Sequence, residues 1–224
     1  GLDHPWALAF RPDGRLLVTE RSGQLLVVDG GAVGAPVSGV PDVYHQGQGG
    51  LLDVALAPDF ERSGMIYLSF AETAAHAGQQ RGQGTAVLSA RLVLDGDSGR
   101  LEDQQVIFRM NKFTTTNRHF GSRVVPDGNG NLFVTLGELG EGERAQDVSD
   151  LARPEGWAPE LWSKGHRNPQ GATLRDDGQL FTVEHGARGG DEVNNPQPGA
   201  NYGWPVITYG VDYSGAPIGE GQQK

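Results

Sequence analysis

One short unit recurs four times along this chain and restricts the folds open to it. Its first copy is Ala9-Phe10-Arg11-Pro12-Asp13-Gly14-Arg15-Leu16-Leu17-Val18-Thr19-Glu20: an apolar stretch, a tight turn, an apolar strand and then an acid. Ala55 to Glu72 repeats it with Pro58-Asp59-Phe60 at the turn, Arg123 to Glu138 with Pro126-Asp127-Gly128, and Ala172 to Glu184 with Asp176-Asp177-Gly178. Each copy reads as two strands joined by a turn whose Asp caps the backbone and whose Gly accepts positive φ. The second strand of each is apolar enough to be buried on both faces.

The turn positions 14, 60, 128 and 178 are 46, 68 and 50 residues apart. β-Propeller blades repeat at about 40 to 50 residues, so the spacing predicts an all-β propeller with four blades visible and one longer insertion. A β-sandwich, with turn signals every 8 to 12 residues or so, stays open as the alternative. The 35 glycines and 13 prolines among 224 residues agree with many short strands and oppose a helical bundle.

Charge and residue usage exclude several functions. With 28 acidic and 18 basic residues the net charge is −10, which repels a phosphate backbone, so nucleic acid is not expected as a partner. No apolar run is long enough for a membrane-spanning helix, and no basic region followed by an apolar run stands at the N-terminus, so membrane insertion is not expected either. The absence of cysteine removes disulfides, thiolate metal sites and cysteine nucleophiles.

Candidate chemistry lies in the glycine-rich connections between units. His119, in Asn117-Arg118-His119-Phe120-Gly121-Ser122-Arg123, precedes a strand and is flanked by small residues that would let a ligand reach its ring. An imidazole so placed can take a proton from a substrate hydroxyl, though a structural His fits the pattern as well. His4, His45 and His76 lack such company and read as structural or surface residues. Gly165-His166-Arg167-Asn168-Pro169-Gln170-Gly171 offers a planar guanidinium and an amide to a flat polar ligand, or is only a polar turn. Glu184 to Glu192, followed by Asn201-Tyr202-Gly203-Trp204-Pro205, could offer carboxylates and carbonyls to a hard cation, or be a solvated acidic turn. Gln46-Gly47-Gln48-Gly49-Gly50 lacks the Lys-Ser/Thr ending of a phosphate loop. No His pair is spaced for zinc and no Gly-x-Ser-x-Gly elbow is present.

Taken in order, Gln48-Gly49-Gly50-Leu51-Leu52, Asn117 to Ser122, Gly165 to Gly171, Gly189-Gly190-Asp191-Glu192 and Asn201 to Pro205 resemble the soluble PQQ-dependent aldose sugar dehydrogenases, relatives of soluble quinoprotein glucose dehydrogenase. The resemblance runs over nearly the whole chain. It implies a six-bladed β-propeller, exported to the periplasm or secreted, that holds pyrroloquinoline quinone (PQQ) and Ca2+ at one channel mouth. It also implies oxidation of the anomeric carbon of an aldose sugar to a lactone, with an external electron acceptor. Carried over motif by motif, His119 would be the general base and Gln48, Arg167, Asn168 and Tyr213 would contact the quinone, Arg167 also stabilising developing charge. The carbonyls of Gly186 and Ala187 would hold the cofactor's calcium, while Glu192 and Tyr202 match a calcium site.

Three departures qualify the likeness. After Arg144-Ala145-Gln146-Asp147 a strand and loop of the family pattern are missing near 148–153. Ala187 stands where Pro is common, which costs rigidity more than chemistry if its carbonyl is the ligand. The chain stops at Lys224 before further blades, so residues 1–224 read as one partial propeller domain of about four blades, belonging to a longer functional protein. A calcium-dependent lactonase-type propeller and a noncatalytic binding propeller are the other functional readings, and the sequence leaves monomer and homodimer open.

Overall fold

In the computed structural model, residues 1–75, 81–147 and 161–221 are described. His76 and the expected gap near 148–153 lie outside them. The described residues form an almost all-β chain, with one short helix, α1 (Phe60–Ser63), and one 3-10 turn (Gly142–Gln146).

The first repeat becomes a four-stranded antiparallel meander in chain order: β1 (Pro5–Phe10), β2 (Leu16–Glu20), β3 (Gln24–Asp29) and β4 (Ala32–Val33). The second is another, of β5 (Leu51–Leu56), β6 (Met65–Thr73), β7 (Gln83–Asp95) and β8 (Ser98–Arg109). The third contributes the antiparallel pair β9 (Gly121–Pro126) and β10 (Leu132–Leu136). Beyond it lie β11 (Ser163–Lys164), β12 (Pro169–Leu174), β13 (Leu180–Glu184), β14 (Glu192–Asn194) and β15 (Ala200–Asn201). Strands β12, β13 and β14 make a three-stranded sheet, and β11 pairs in parallel with β15. Each predicted turn thus joins the first two strands of its own sheet. The first strands pack against one another in chain order, β1 on β5, β5 on β9 and β9 on β12, which is the way blades succeed one another in a propeller.

The turns behave as their chemistry requires. Gly14, Gly128 and Gly178 have φ of 86°, 77° and 79°, and the Asp side chains of positions 13, 127 and 177 accept backbone N–H groups two residues on. At the second repeat, where Phe60 replaces the glycine, the turn becomes α1 and the left-handed residue moves to Gly64 at its C-cap. Segment 165–171 is more than a polar turn, because β12 begins at Pro169.

The second strands are mostly buried in the first two sheets, where Leu16, Met65, Tyr67 and Thr73 are only partly so, and less buried in β10 and β13. The main core lies between the first two sheets, around Leu17, Leu25, Leu51, Ile66, Leu68 and Leu88. A second cluster of Leu52, Ala71, Met110, Phe120 and Leu139 seats the second sheet against the segment that carries His119.

Candidate active site

The acid that closes each repeat is buried, and all four lie at the same end of their sheets: Glu20, Glu72, Glu138 and Glu184. Burying a carboxylate requires partners. Glu20 accepts the Asp3 amide (2.6 Å) and Glu72 the Arg109 guanidinium (2.9 Å). Glu138 faces His119, with Oε1 2.9 Å from Nδ1, and also accepts the Gly140 amide. Both side chains of this pair are more than nine-tenths buried. Because the carboxylate accepts, Nδ1 carries the proton and Nε2 is the ring nitrogen with a lone pair to offer.

His119 itself is held from the backbone. Its φ is 59°, uncommon for a residue with a side chain, and its amide donates to Gln48 Oε1 at 2.7 Å. The carbonyl of His119 accepts the Leu139 amide, tying the two strand ends together. Gln48 is exposed, in a loop that reaches over from the preceding sheet.

Arg167 and Asn168 arrive from the next sheet and are both buried. Asn168 Oδ1 accepts the amide of Gly121 (3.2 Å), the residue two positions after His119. The Arg167 carbonyl accepts the Glu138 amide, and the Arg167 amide donates to Glu184 Oε2 (2.9 Å). Its guanidinium donates through Nη1 to the carbonyls of His185 and Gly186 and stacks 5.3 Å over Trp204. Its Nε is buried with no hydrogen-bond partner, a donor that an anionic or carbonyl-bearing ligand would satisfy. Gln48, His119, Arg167 and Asn168 are therefore linked by hydrogen bonds or chain adjacency. Tyr213 is 70% exposed, in a loop fixed through Val211 to Arg188.

The residues assigned to calcium are engaged with other parts of the chain. The Gly186 carbonyl receives Arg167, and the Gly186 amide donates to Asp191 Oδ1. The Tyr202 hydroxyl donates to the Asn195 carbonyl and accepts the Gln197 amide. Among the described residues no group of three or more His, Asp or Glu side chains is placed to hold a metal ion. Ala187 pairs with Gly189 across the turn. Glu184 and Glu192 are cross-strand partners on β13 and β14, and Glu192 is held above the usual carboxylate range by burial first and by the like charge of Glu184 second. Segment 184–192 connects two paired strands, with Glu184 buried, Glu192 partly buried and Asp191 exposed.

Three glycines of these loops leave room for other parts of the chain. A Cβ at Gly121 would lie 2.7 Å from the Gly137 amide nitrogen, one at Gly165 would lie 2.2 Å from Asn201 Oδ1, and one at Gly186 would lie 2.2 Å from the Gly189 carbonyl. Their role is close packing between loops. Sequence reasoning also passed over Glu138 and His166 as site residues. His166 bridges Glu184 (Nδ1, 3.2 Å) and Ser163 (Nε2, 2.8 Å) and stacks on Tyr202. The acid that ends every repeat was the available signal for Glu138 and for Glu184, the partner of His166.

These features define a class: a propeller-type β protein with a buried His–Glu pair and an arginine–asparagine grip gathered at one end of successive sheets. The family model for glucose / sorbosone dehydrogenase matches residues 2–153 and 151–224. The chain belongs to the glucose / sorbosone dehydrogenase family. It is 44% identical over 241 residues to the aldose sugar dehydrogenase YliI of Escherichia coli strain K12, an alignment that covers 98% of this chain and 63% of that protein. Its structure is similar to the soluble aldose sugar dehydrogenase of Escherichia coli in the apo form, with a TM-score of 0.88 and 43% identity over 100% of this chain and 70% of that one. It is also similar to the PQQ-bound form of the aldose sugar dehydrogenase of Streptomyces coelicolor, with a TM-score of 0.79 and 30% identity over 97% of this chain and 67% of that one. The chain thus spans less than two thirds of the Escherichia coli relative's length. Among the described residues no helix is long and apolar enough to cross a membrane.

Proposed function

We propose that this chain carries the catalytic end of a quinoprotein dehydrogenase that oxidises the anomeric carbon of aldose sugars to lactones and passes the electrons to an external acceptor. The observation that supports it most is the buried His119–Glu138 pair, set beside Gln48, Asn168 and the unpartnered Nε of Arg167. When bound, PQQ would supply the two-electron oxidant, taking hydride from the anomeric carbon. Gln48, Arg167 and Asn168 are the residues that would hold it. Tyr213, exposed in its own loop, joins them on the resemblance alone.

The chain's own residues supply position and proton transfer. His119 accepts the proton of the anomeric hydroxyl at Nε2, and Glu138 keeps the opposite nitrogen protonated and balances the charge the ring acquires. Arg167 places positive charge where an oxyanion develops. Calcium enters on the resemblance, through the carbonyls of Gly186 and Ala187 and through Glu192 and Tyr202. The desolvated Glu192 beside Glu184 is the group whose burden a divalent cation would relieve. No step here depends on it.

The reading extends to a six-bladed propeller, of which this chain holds about four, in the periplasm or secreted. Leu8 and Phe10 on β1 and the paired Val183 and Val193 on β13 and β14 are apolar and at least half exposed, as sheets awaiting neighbours would be. A lactonase-type propeller finds less support, since it needs no quinone grip of the kind that Arg167 and Asn168 offer beside the His119 segment. Reconstitution of the complete protein with PQQ and calcium, with glucose reducing an artificial electron acceptor, tests the proposal. Absence of both acceptor reduction and any spectral change of PQQ on adding sugar would end it.

A further inference from the structure

Arg21 directly follows Glu20, the acid that closes β2, and its side chain leaves its own sheet to reach the Gln48 loop. Its guanidinium donates to the Gly49 carbonyl from Nε (3.2 Å) and Nη2 (3.1 Å), and Nη2 also donates to the Gly47 carbonyl. Those two carbonyls flank Gln48. Gln48 in turn accepts the His119 amide at Oε1 and donates its own amide to the Asn117 carbonyl (2.7 Å each). The Arg21 main chain completes the hold, its carbonyl accepting the Leu51 amide at 3.2 Å. The loop has no slack at its glycines, since a Cβ on Gly47 would lie 2.3 Å from the Asn117 carbonyl and one on Gly50 2.2 Å from that of Arg21.

We propose that Arg21 is a positioning residue that clamps residues 46–50 so that Gln48 fixes the backbone of His119 and is presented to the quinone. The geometry of the clamp stands on the contacts above, while its consequence for cofactor binding rests on the function proposed in the preceding section. A planar fork that satisfies two carbonyls at once is what Arg provides, and a lysine ammonium could only partly replace it.

Arg21→Ala and Arg21→Lys in the complete protein separate this role from general stabilisation. Amide hydrogen exchange of the quinone-free protein reads the clamp, and PQQ titration followed by quenching of tryptophan fluorescence reads its consequence. In Arg21→Ala, exchange at the Gln48 and His119 amides speeds up tenfold or more while β2 and β3 amides keep their protection, and the dissociation constant for PQQ rises tenfold or more. Arg21→Lys falls between. Unchanged exchange at Gln48 and His119, loss of protection spread evenly over the first sheet, or unchanged PQQ affinity in Arg21→Ala overturns the assignment. Failure of the wild-type protein to bind PQQ instead overturns the functional reading, and exchange still decides the clamp.

Discussion

Replacing Glu138 by glutamine removes one charge from a buried pair and almost no volume. The carboxylate lies 2.9 Å from His119 Nδ1, with the two side chains 3% and 8% exposed. While His119 is neutral the substitution weakens one hydrogen bond. Once the ring has taken a proton, the carboxylate faces a full positive charge, and at about 4 Å with an effective dielectric of about 20 that attraction is ~4 kcal/mol. A charge-assisted hydrogen bond exceeds a neutral one by less, roughly 1–2 kcal/mol, which sets the lower bound. The amide adds a second penalty, because Glu138 also accepts the Gly140 amide. If glutamine keeps its oxygen toward Gly140, its NH2 faces His119, Nδ1 must become the acceptor, and Nε2 carries the proton it should be free to accept. If it flips, its NH2 opposes the Gly140 N–H. The transition state should therefore lose about 2–4 kcal/mol, a fall in kcat/KM of roughly 30- to 1000-fold. The assay is acceptor reduction by glucose in the PQQ-reconstituted complete protein, with PQQ affinity and thermal midpoint measured alongside. A folded Glu138→Gln protein that binds PQQ and keeps more than a third of wild-type kcat/KM would refute the argument.

Three further outcomes follow from the same geometry. His119→Ala should abolish acceptor reduction while leaving PQQ bound, and turnover within tenfold of wild type would remove His119 from the base's role. Gly50 has φ of 144° and no space for a Cβ, so Gly50→Ala should destabilise the protein by about 2–5 kcal/mol in denaturant titration, combining backbone strain with overpacking; a change under 1 kcal/mol, roughly the ordinary surface range, contradicts this. Asp53 is buried and its carboxyl is pushed up to about 6, desolvation outweighing the Arg123 guanidinium 2.7 Å away and the amides of Val124 and Val54. A raised folded-state pKa gives stability that is fully present below about 4 and lost as pH rises to and through 6, so the advantage of wild type over Asp53→Asn should shrink by about 2 kcal/mol between pH 4 and 7; an advantage that grows with pH means the guanidinium wins over burial.

The fold was legible in the sequence where local chemistry sets the backbone. Pro-Asp-Gly at positions 12–14 fixes a turn because Pro sets φ, Asp caps and Gly takes the left-handed conformation, and the same logic holds at 126–128. Where Phe60 interrupts that chemistry, the spacing still located the turn but not the helix that replaces it. The site was legible only in part. His119, Arg167 and Asn168 stand out by residue type among glycines, whereas their supports come from elsewhere in the chain: Glu138 lies 19 residues on and Gln48 71 residues back. Such pairings depend on strand register and on loops crossing between sheets, which no local pattern encodes. The glycines are ambiguous for a related reason, since a missing Cβ shows that something comes close without saying whether it is ligand or chain.

The four closing glutamates show how a repeat can generate a site without repeating it. A carboxylate at the end of each second strand, buried by the next loop, must be paired, and the partner is whatever the local insertion brings. In the first sheet it is the Asp3 amide and in the second Arg109, and neither offers proton chemistry. In the third it is an imidazole whose other nitrogen stays outside the pair, and in the fourth an imidazole together with the amide of Arg167. The stabilising requirement is the same in all four. Only in the third and fourth does satisfying it also orient groups that a substrate or cofactor could use. Glu138 and Glu184 are further joined through Arg167, whose carbonyl accepts the Glu138 amide while its own amide serves Glu184. His119 and the Arg167 guanidinium are therefore set by one continuous hydrogen-bonded path across two sheets, so a substitution at either acid should disturb the partner site as well as its own.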